Sequence, residues 1–369
     1  MKQSVAVNKA EQQVKWTEGL KTLLSKFKIR PPKFEFNTIL KKLIVPILSI
    51  AAFIGIWHVG ANALRQREID FRIEKALTDQ GQAAAEELKA CFAAKTTSCQ
   101  TNTLPSPSQV WSSVSTLIDD HYVIKQDKLD FINKTAAVNA KRIEAGQEPI
   151  VYTGRPSFID IVLTSLKTVF AGFLLALFIA VPIGVVVGLS DTLRNAISWF
   201  IQVFKPVSPV VWYLLVFMIV KTLLIGSSSD NSFVISFISV GLCAMWATLV
   251  NTAMGVSSVD KDYINVAKVL KLGAFQKVFK VILPSSLPLI FTGLRITLSV
   301  AWMVLIAIEL LAQSPGLGLF VWEEFQNGAN DSNSKIIVAM FVIGIIGFLL
   351  DRIMLIIQNA VSFNKNATA

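Results

Sequence analysis

Asn265 to Pro284 reads NVAKVLKLGAFQKVFKVILP and lies between two strongly apolar runs, Phe233 to Val256 and Leu287 to Ala312. A basic segment between two runs long enough to cross a bilayer must leave the membrane. The wider loop, Ser257 to Pro284, holds five lysines and two aspartates. Within it, Asp262 to Leu272 sets Tyr263, Val266, Ala267 and Leu270 at the spacing of a short helix. Ala267 is small enough to let that helix sit close in a groove of a partner. Pro284 is expected to stop the amphipathic segment that follows and turn the chain into the next span. The loop therefore reads as a rigid lever joined directly to a membrane helix.

Composition agrees with a membrane protein. Apolar residues are 53% of the chain and charged residues 16%, where a soluble domain carries about a quarter charged. Five runs approach or exceed the roughly 20 residues a spanning helix needs: Leu43 to Ala61, Thr168 to Leu189, Phe233 to Val256, Leu287 to Ala312 and Ile336 to Ile357. A sixth, Val207 to Ile225, is broken only by Ser208, Pro209, Lys221 and Thr222. Runs this long and continuous predict helices, not tilted barrel strands. The expected fold is an all-α integral membrane protein with six transmembrane helices.

Charge placement sets the expected orientation. Residues 1–42 carry ten Lys/Arg against three acids, while 62–155 carry twelve of each. Basic loops stay in the cytoplasm, which places the N-terminal tail and the Asn265 loop inside and the long neutral segment outside. Six spans return the C-terminus, 360–369, to the inside. The basic tail reads as an orientation signal and lipid-facing charge, with no nucleic acid as partner. Within it, Val5 to Lys28 reads equally as an amphipathic surface helix ended by Pro31-Pro32 or as a frayed tail. The first run, 43–61, is too long and too far from the start for a cleaved signal, so a retained anchor is expected.

The outer segment, 62–157, reads as a mixed but mainly helical insert. Arg65 to Ala94 is rich in good helix formers. Leu104-Pro105-Ser106-Pro107 must leave helix, and Ser108 is the expected N-cap of a helix through Val110, Trp111, Val114 and Leu117 to Ile118. Cys91 and Cys99 sit eight residues apart, where an oxidising compartment permits a disulfide; two free thiols are the other reading. Cys243 reads as a small buried hydrophobe.

The Asn265 stretch resembles the loop by which membrane subunits of bacterial ABC importers dock onto their ATPases. Asn265-Val266-Ala267 stands where that family usually has Glu-Ala-Ala, Lys271 stands at the usual glycine, and Val281, Leu283 and Pro284 fill the closing positions. The variant Asn-Val-Ala-x-Val-Leu-Lys-Leu is similar to the nitrate/bicarbonate/cyanate/taurine branch of the MetI-like permeases, nitrate type. Further ordered matches are Leu104 to Val110, Pro206 to Trp212, Trp246, Asn251-Thr252, Gly255, Phe291 to Arg295, Glu309, Val321-Trp322 and Gly347 to Arg352. The resemblance implies a five-helix core over 158–359 with the coupling loop at 257–284. It also implies alternating access, two permease subunits side by side as a homodimer, and two ATPases that bind ATP and Mg. A periplasmic or lipid-anchored solute-binding protein completes the implied importer, in the bacterial inner membrane. Nitrate or nitrite leads as solute, with taurine or other sulfonates, bicarbonate and cyanate behind.

No catalytic constellation is present. His58 and His121 join no metal-ligand or triad spacing, and no Gly-Lys pair supplies a phosphate-binding loop. The expected chain is a non-catalytic subunit with no metal and no cofactor of its own. A proton- or sodium-coupled transporter would need mid-membrane ionisable groups and often an inverted repeat, neither evident; a membrane-anchored sensor would need no docking loop. Two charges do lie in the fifth span. Arg295 reads as a positive element on an anion path, a gate latch, or a hydrogen-bonded strut. Glu309, about 21 Å further along the helix, would repel an anion and reads as a strut. Ser208, Trp212, Thr248, Asn251 and Thr252 supply neutral groups for an anion path, although such residues more often pack helices together. Lys221 reads as an interfacial snorkelling lysine.

Overall fold

The computed structural model describes residues 44–94, 101, 103–223, 231–329 and 331–361. The N-terminal tail, Cys99 and the C-terminal tail lie outside them. Among the described residues the chain is all-α, with no strand. The helices are α1 (Val45–Gln80), α2 (Gln82–Ala94), α3 (Pro107–Glu144), α4 (Phe158–Gly188), α5 (Asp191–Phe204), α6 (Pro209–Leu223) and α7 (Ser232–Ser257). They continue with α8 (Lys261–Val269), α9 (Ala274–Lys277), a π-helical turn (Val278–Ile282), α10 (Leu283–Ala312), α11 (Leu317–Asn327) and α12 (Ser332–Val361). Five stretches are long and apolar enough to cross a membrane: α1, α4, α7, Ala274–Ala312 and α12. A sixth exists if α5 and α6, bent by 100° at their junction, count as one broken span.

The chain divides into two compact units, Met1–Gly60 and Ala61–Ala369. In the first, the described residues are helical and expose an apolar surface that includes Leu48, Phe53 and Ile56. The second is centred on α7, which packs against α4 and α10 along most of its length. Small residues explain the close approach. Gly172 of α4 and Gly241 of α7 face one another so tightly that a Cβ on either would meet backbone oxygen of the other helix at 2.9 Å. Val169, Val240, Leu298, Leu305 and Ile308 fill the core between the three. Half-buried Cys243 is a free thiol packed against that core.

Asp191 to Asn195 form the first turn of α5, capped by Ser190, which accepts from the Leu193 N–H. Three expectations change. The N-cap of α3 is Ser106 with Pro107 at N1, not Ser108: Gln109 accepts from the Ser106 N–H at 2.8 Å and completes a capping box. That helix does not end at Ile118. No Gly or Pro interrupts it before Gly146, and Lys- and Ala-rich sequence carries it to Glu144. Nor does Pro284 stop a helix. It sits in the first turn of α10, just after the π-helical turn. Such a turn relaxes the hydrogen-bond ladder around a proline, so the helical path runs on from Ala274 to Ala312.

In the insert, α3 folds back through 149–156 to reach α4. Asn139 clasps this return, accepting from the Ile150 N–H at 2.7 Å and donating to its carbonyl at 3.0 Å. His121 Nδ1 meets Ser157 Oγ at 2.8 Å beside the capping box that opens α4. Cys91 of α2 is disulfide-bonded.

Candidate functional site

The Asn265 loop begins with α8, whose N-cap Asp260 accepts from the Asp262 N–H at 3.0 Å. The helix has two unlike faces. Ile264 packs on Val256, Val259 and Ile282, at the junction of α7 with the π-helical turn, and Ala267 is only 1% exposed. Ala267 therefore turns into its own chain and not out toward a partner. That is a correction, with a physical reason: only a residue this small lets α8 lie so close to the turn beneath it. The outer face carries Tyr263, Val266, Val269 and Leu270, each more than half exposed, and Asn265 beside them is exposed too. Beyond the helix, Phe275 and Phe279 are exposed apolar residues as well. Periodicity marked three of the four apolar residues on the helix; Val269 and the two phenylalanines escaped it.

The helix closes on a Schellman motif. The Leu272 N–H donates to the Ala267 carbonyl at 3.0 Å and the Lys271 N–H to Lys268 at 2.9 Å. Lys271 adopts φ 51°, the left-handed region that favours glycine. Its position thus has a backbone requirement of its own, apart from its charge. Beyond it, α9, the π-helical turn and α10 form a continuous stem from the loop into the membrane.

About three turns into α10, Arg295 makes a forked pair with Asp351 of α12. Nε donates to Oδ1 at 2.5 Å and Nη2 to Oδ2 at 2.7 Å. Nearby, Gln358 donates to Thr292 Oγ1 at 3.0 Å. These groups line an open cavity of about 570 Å³ with Ile296, Ser299 and Met303. Asp351 and Gln358 are the site residues that sequence reasoning missed. Asp351 stood in the quoted Gly347–Arg352 stretch, but nothing in spacing ties it to an arginine 56 residues away.

Glu309 lies at the opposite end of α10, 1% exposed. Its carboxylate accepts from the Ser165 hydroxyl at 2.8 and 2.9 Å and from the Gly318 N–H at 3.0 Å. Ser165 Oγ in turn accepts from the Leu317 N–H at 2.9 Å. The first turn of α11 thus finds acceptors for its free N–H groups inside the protein. A side chain at Gly316 or Gly318 would collide with Glu309, so those glycines make the approach possible.

The neutral residues considered for a path do not come together. Thr248 and Thr252 are fully buried. Thr248 Oγ1 lies 2.7 Å from Thr297 Oγ1 across α7 and α10, and Thr252 packs against Gly184 of α4. Asn251 donates to the Ala247 carbonyl of its own helix at 2.8 Å. Trp212 joins Phe204 and Trp246 in an aromatic cluster under the 100° bend, and Ser208 is exposed at that bend. Lys221 lies 5.0 Å over the Phe217 ring. Within the chain, Thr248, Thr252 and Trp212 lie in contacts between helices.

Residues 159–363 match the family model described as "Binding-protein-dependent transport system inner membrane component". The chain belongs to that family. It is a membrane-embedded ABC importer permease, similar to permeases of nitrate, bicarbonate and taurine transport systems. The nitrate import permease protein of Synechococcus elongatus is 34% identical over 54% of this chain and 69% of that one. The bicarbonate transport system permease protein of Synechocystis is 36% identical over 52% of this chain and 64% of that one. An inward-facing structure of the MetNI methionine ABC transporter is 17% identical, covering 55% of this chain and 95% of that one with a TM-score of 0.49. The family match begins at the start of α4, so α1 to α3 fall outside it.

Proposed function

We propose that this chain is the non-catalytic membrane subunit of an ATP-driven importer for a small monovalent anion, with nitrate or nitrite as the leading solute. Relatives named for nitrate and for bicarbonate are about equally similar, which supports the class of solute more strongly than either member. Two copies of the chain would stand side by side on two ATPase subunits that bind ATP and Mg. A periplasmic or lipid-anchored binding protein would deliver the solute to the far side of the inner membrane, with both termini of the chain cytoplasmic.

The observation that carries the reading is the two-faced α8. One face is seated on the end of α7 and the π-helical turn, and the other presents an exposed apolar patch on the side that a soluble ATPase would approach. Movement of a subunit gripping that patch would pass through the hydrogen-bonded turn after α8 into the helical stem that runs from Ala274 to Ala312. At the next level, the Arg295–Asp351 fork ties α10 to α12. A solute anion meeting Arg295 must compete with a carboxylate already bound by two charge-assisted hydrogen bonds. This favours Arg295 as a latch between helices over a free anion-binding group.

The test is co-purification. Val266→Glu places a charge on the exposed face without entering the core. It should abolish recovery of the ATPase with the permease while leaving the permease's melting temperature within about a degree of wild type, as for other surface substitutions. Wild-type recovery of ATPase by Val266→Glu would remove α8 as the docking element.

A further inference from the structure

On the coupling-loop side of the molecule, α5 carries three kinds of surface. Ile197, Ile201 and Phe204 pack inward against Trp246 and Leu249. Leu193, Trp199, Phe200 and Val203 are exposed apolar residues. Between these two faces runs a polar stripe, Arg194, Ser198, Gln202 and Lys205, at the i, i+4, i+8, i+11 spacing of one helical face. That stripe forms one wall of a groove of about 480 Å³ whose other wall is Val250, Ala253, Met254 and Ser257 of α7, with Val187 and Ile201 at its base. Such a pattern of faces suits a helix lying along a membrane surface, with Trp199 among its exposed apolar residues and a basic groove at its edge.

We infer that this groove binds the phosphate of an anionic phospholipid from the leaflet on the coupling-loop side. Three observations choose that ligand. Cations stand at both ends of the stripe, about 16 Å apart along the helix. Among the described residues Lys205 makes no ion pair, and Arg194 meets only the exposed carboxylate of Asp191, leaving further donors of its guanidinium for a phosphate. Gln202 supplies an amide donor, while the Ser198 hydroxyl is taken up by the Asn195 carbonyl at 2.9 Å. Finally, the floor and far wall are apolar, which suits the glycerol backbone and upper acyl chain of a lipid and not a free hydrated ion. Basic pockets between spanning helices are where anionic headgroups are held. The groove ends at Ser257, three residues before the cap of α8, so a bound lipid would brace the root of the coupling loop. The inference does not depend on the solute transported.

The full-length chain is purified in neutral detergent and exposed to mixed micelles of phosphatidylglycerol and phosphatidylcholine in equal amounts. Retained lipid is counted by native mass spectrometry. Each basic residue near an anionic surface is worth a factor of about five. Phosphatidylglycerol should be retained over phosphatidylcholine, and the Arg194→Gln, Lys205→Gln double variant should lose that retention roughly twenty-five-fold. Arg194→Lys should keep most of it. Should the double variant fail to fold, Lys205→Gln at an exposed position should still show a loss of about fivefold. Equal retention by variant and wild type overturns the inference. So does equal retention of the two lipids, which would mean an apolar groove alone. Displacement of the lipid by an equal concentration of glycerol phosphate would make it a free-phosphate site and overturn it too.

Discussion

Two helices at opposite ends of the second unit stop on the same device, with different residues at its centre. In the insert, α3 closes through the Gln147 N–H on Arg142 and the Gly146 N–H on Ile143, with Gly146 at φ 69°. In the coupling loop, α8 closes through Leu272 on Ala267 and Lys271 on Lys268, with Lys271 at φ 51°. The insert uses the residue with no steric penalty there, and the coupling loop does not. The surroundings differ as well. Four of the 38 residues of α3 are buried, the last of them, Ile124, less than halfway along, so its end is held by its own hydrogen bonds. The end of α8 is pinned by Ala267 and Ile264 against the core. A segment seated on packing tolerates a costly turn residue; a segment standing on local bonds depends on a good one.

The largest effect should come from unseating the pinned segment. Ala267→Glu would bury a carboxylate with no partner beneath α8, at a cost of about 3–5 kcal/mol. The expected result is loss of ATPase coupling together with a fall in melting temperature, because the loop itself comes off the core. Val266→Glu, one residue away on the open face, should lose coupling alone. A variant at Ala267 that uncouples with an unchanged melt would show that the pinning is unimportant.

The next effect sits at the far end of the same stem. Arg295→Gln removes the fork to Asp351 and leaves that carboxylate with no cation in its former place. Charge-assisted bonds are worth about 1.5–3 kcal/mol, and the pair is about a third exposed, so the low end applies. Transport should fall several-fold at matched expression, more than assembly does, and more than with Lys221→Gln. Adding Asp351→Asn should restore part of the loss, since the stranded charge goes with it. If the double variant is worse than either single one, the latch reading fails and Arg295 acts on the solute directly.

Much of this was legible in the sequence because the signals were strong ones. Continuous apolar runs of the right length gave the spans, and the family match bears out the importer fold. The loop helix followed from the spacing of Tyr263, Val266 and Leu270. What was hidden has physical causes. Spacing names the apolar residues of α8 without saying which face turns in, because both faces are apolar; only the contact with Val259 and Ile282 decides. The length of α3 beyond Ile118 rests mainly on propensity, since Ile124 is its last buried residue and the contacts beyond it are few and exposed. Arg295 and Asp351, or Glu309 and Ser165, meet across helices separated by 56 and 144 residues, and no local pattern records such a pairing. Pro284 looked like a stop because the π-helical turn that admits it has no sequence mark.

In the insert, a smaller loss should follow from opening the Asn139 clasp. Asn139→Ala deletes two hydrogen bonds to Ile150, both in exposed surroundings, for a cost of about 1–2 kcal/mol. The effect should stay local: faster proteolysis of 147–156, with transport and ATPase recovery unchanged. A loss of transport would mean that the insert communicates with the core. Peptide mapping of the same protein should recover Cys91 linked to Cys99; both thiols freely alkylated would end that pairing.

The smallest effect tests the comparison itself. Placing a non-glycine residue in the left-handed region costs about 1 kcal/mol. Lys271→Gly should therefore relieve strain in the coupling loop, yet it also frees the unfolded chain, which offsets part of the gain. The net stabilisation should be a few tenths of a kcal/mol. Gly146→Lys, the mirror exchange, should cost about 1 kcal/mol, with the loss seen as fraying of the last turn of α3 because nothing beneath it is packed. Hydrogen exchange at Gln147 and Leu272, the two amides that close the motifs, reads both changes on one scale. Protection should fall at Gln147 in Gly146→Lys and hold or rise at Leu272 in Lys271→Gly. If Lys271→Gly instead loosens Leu272, the lysine side chain is itself holding the turn, and the backbone account of that position is wrong.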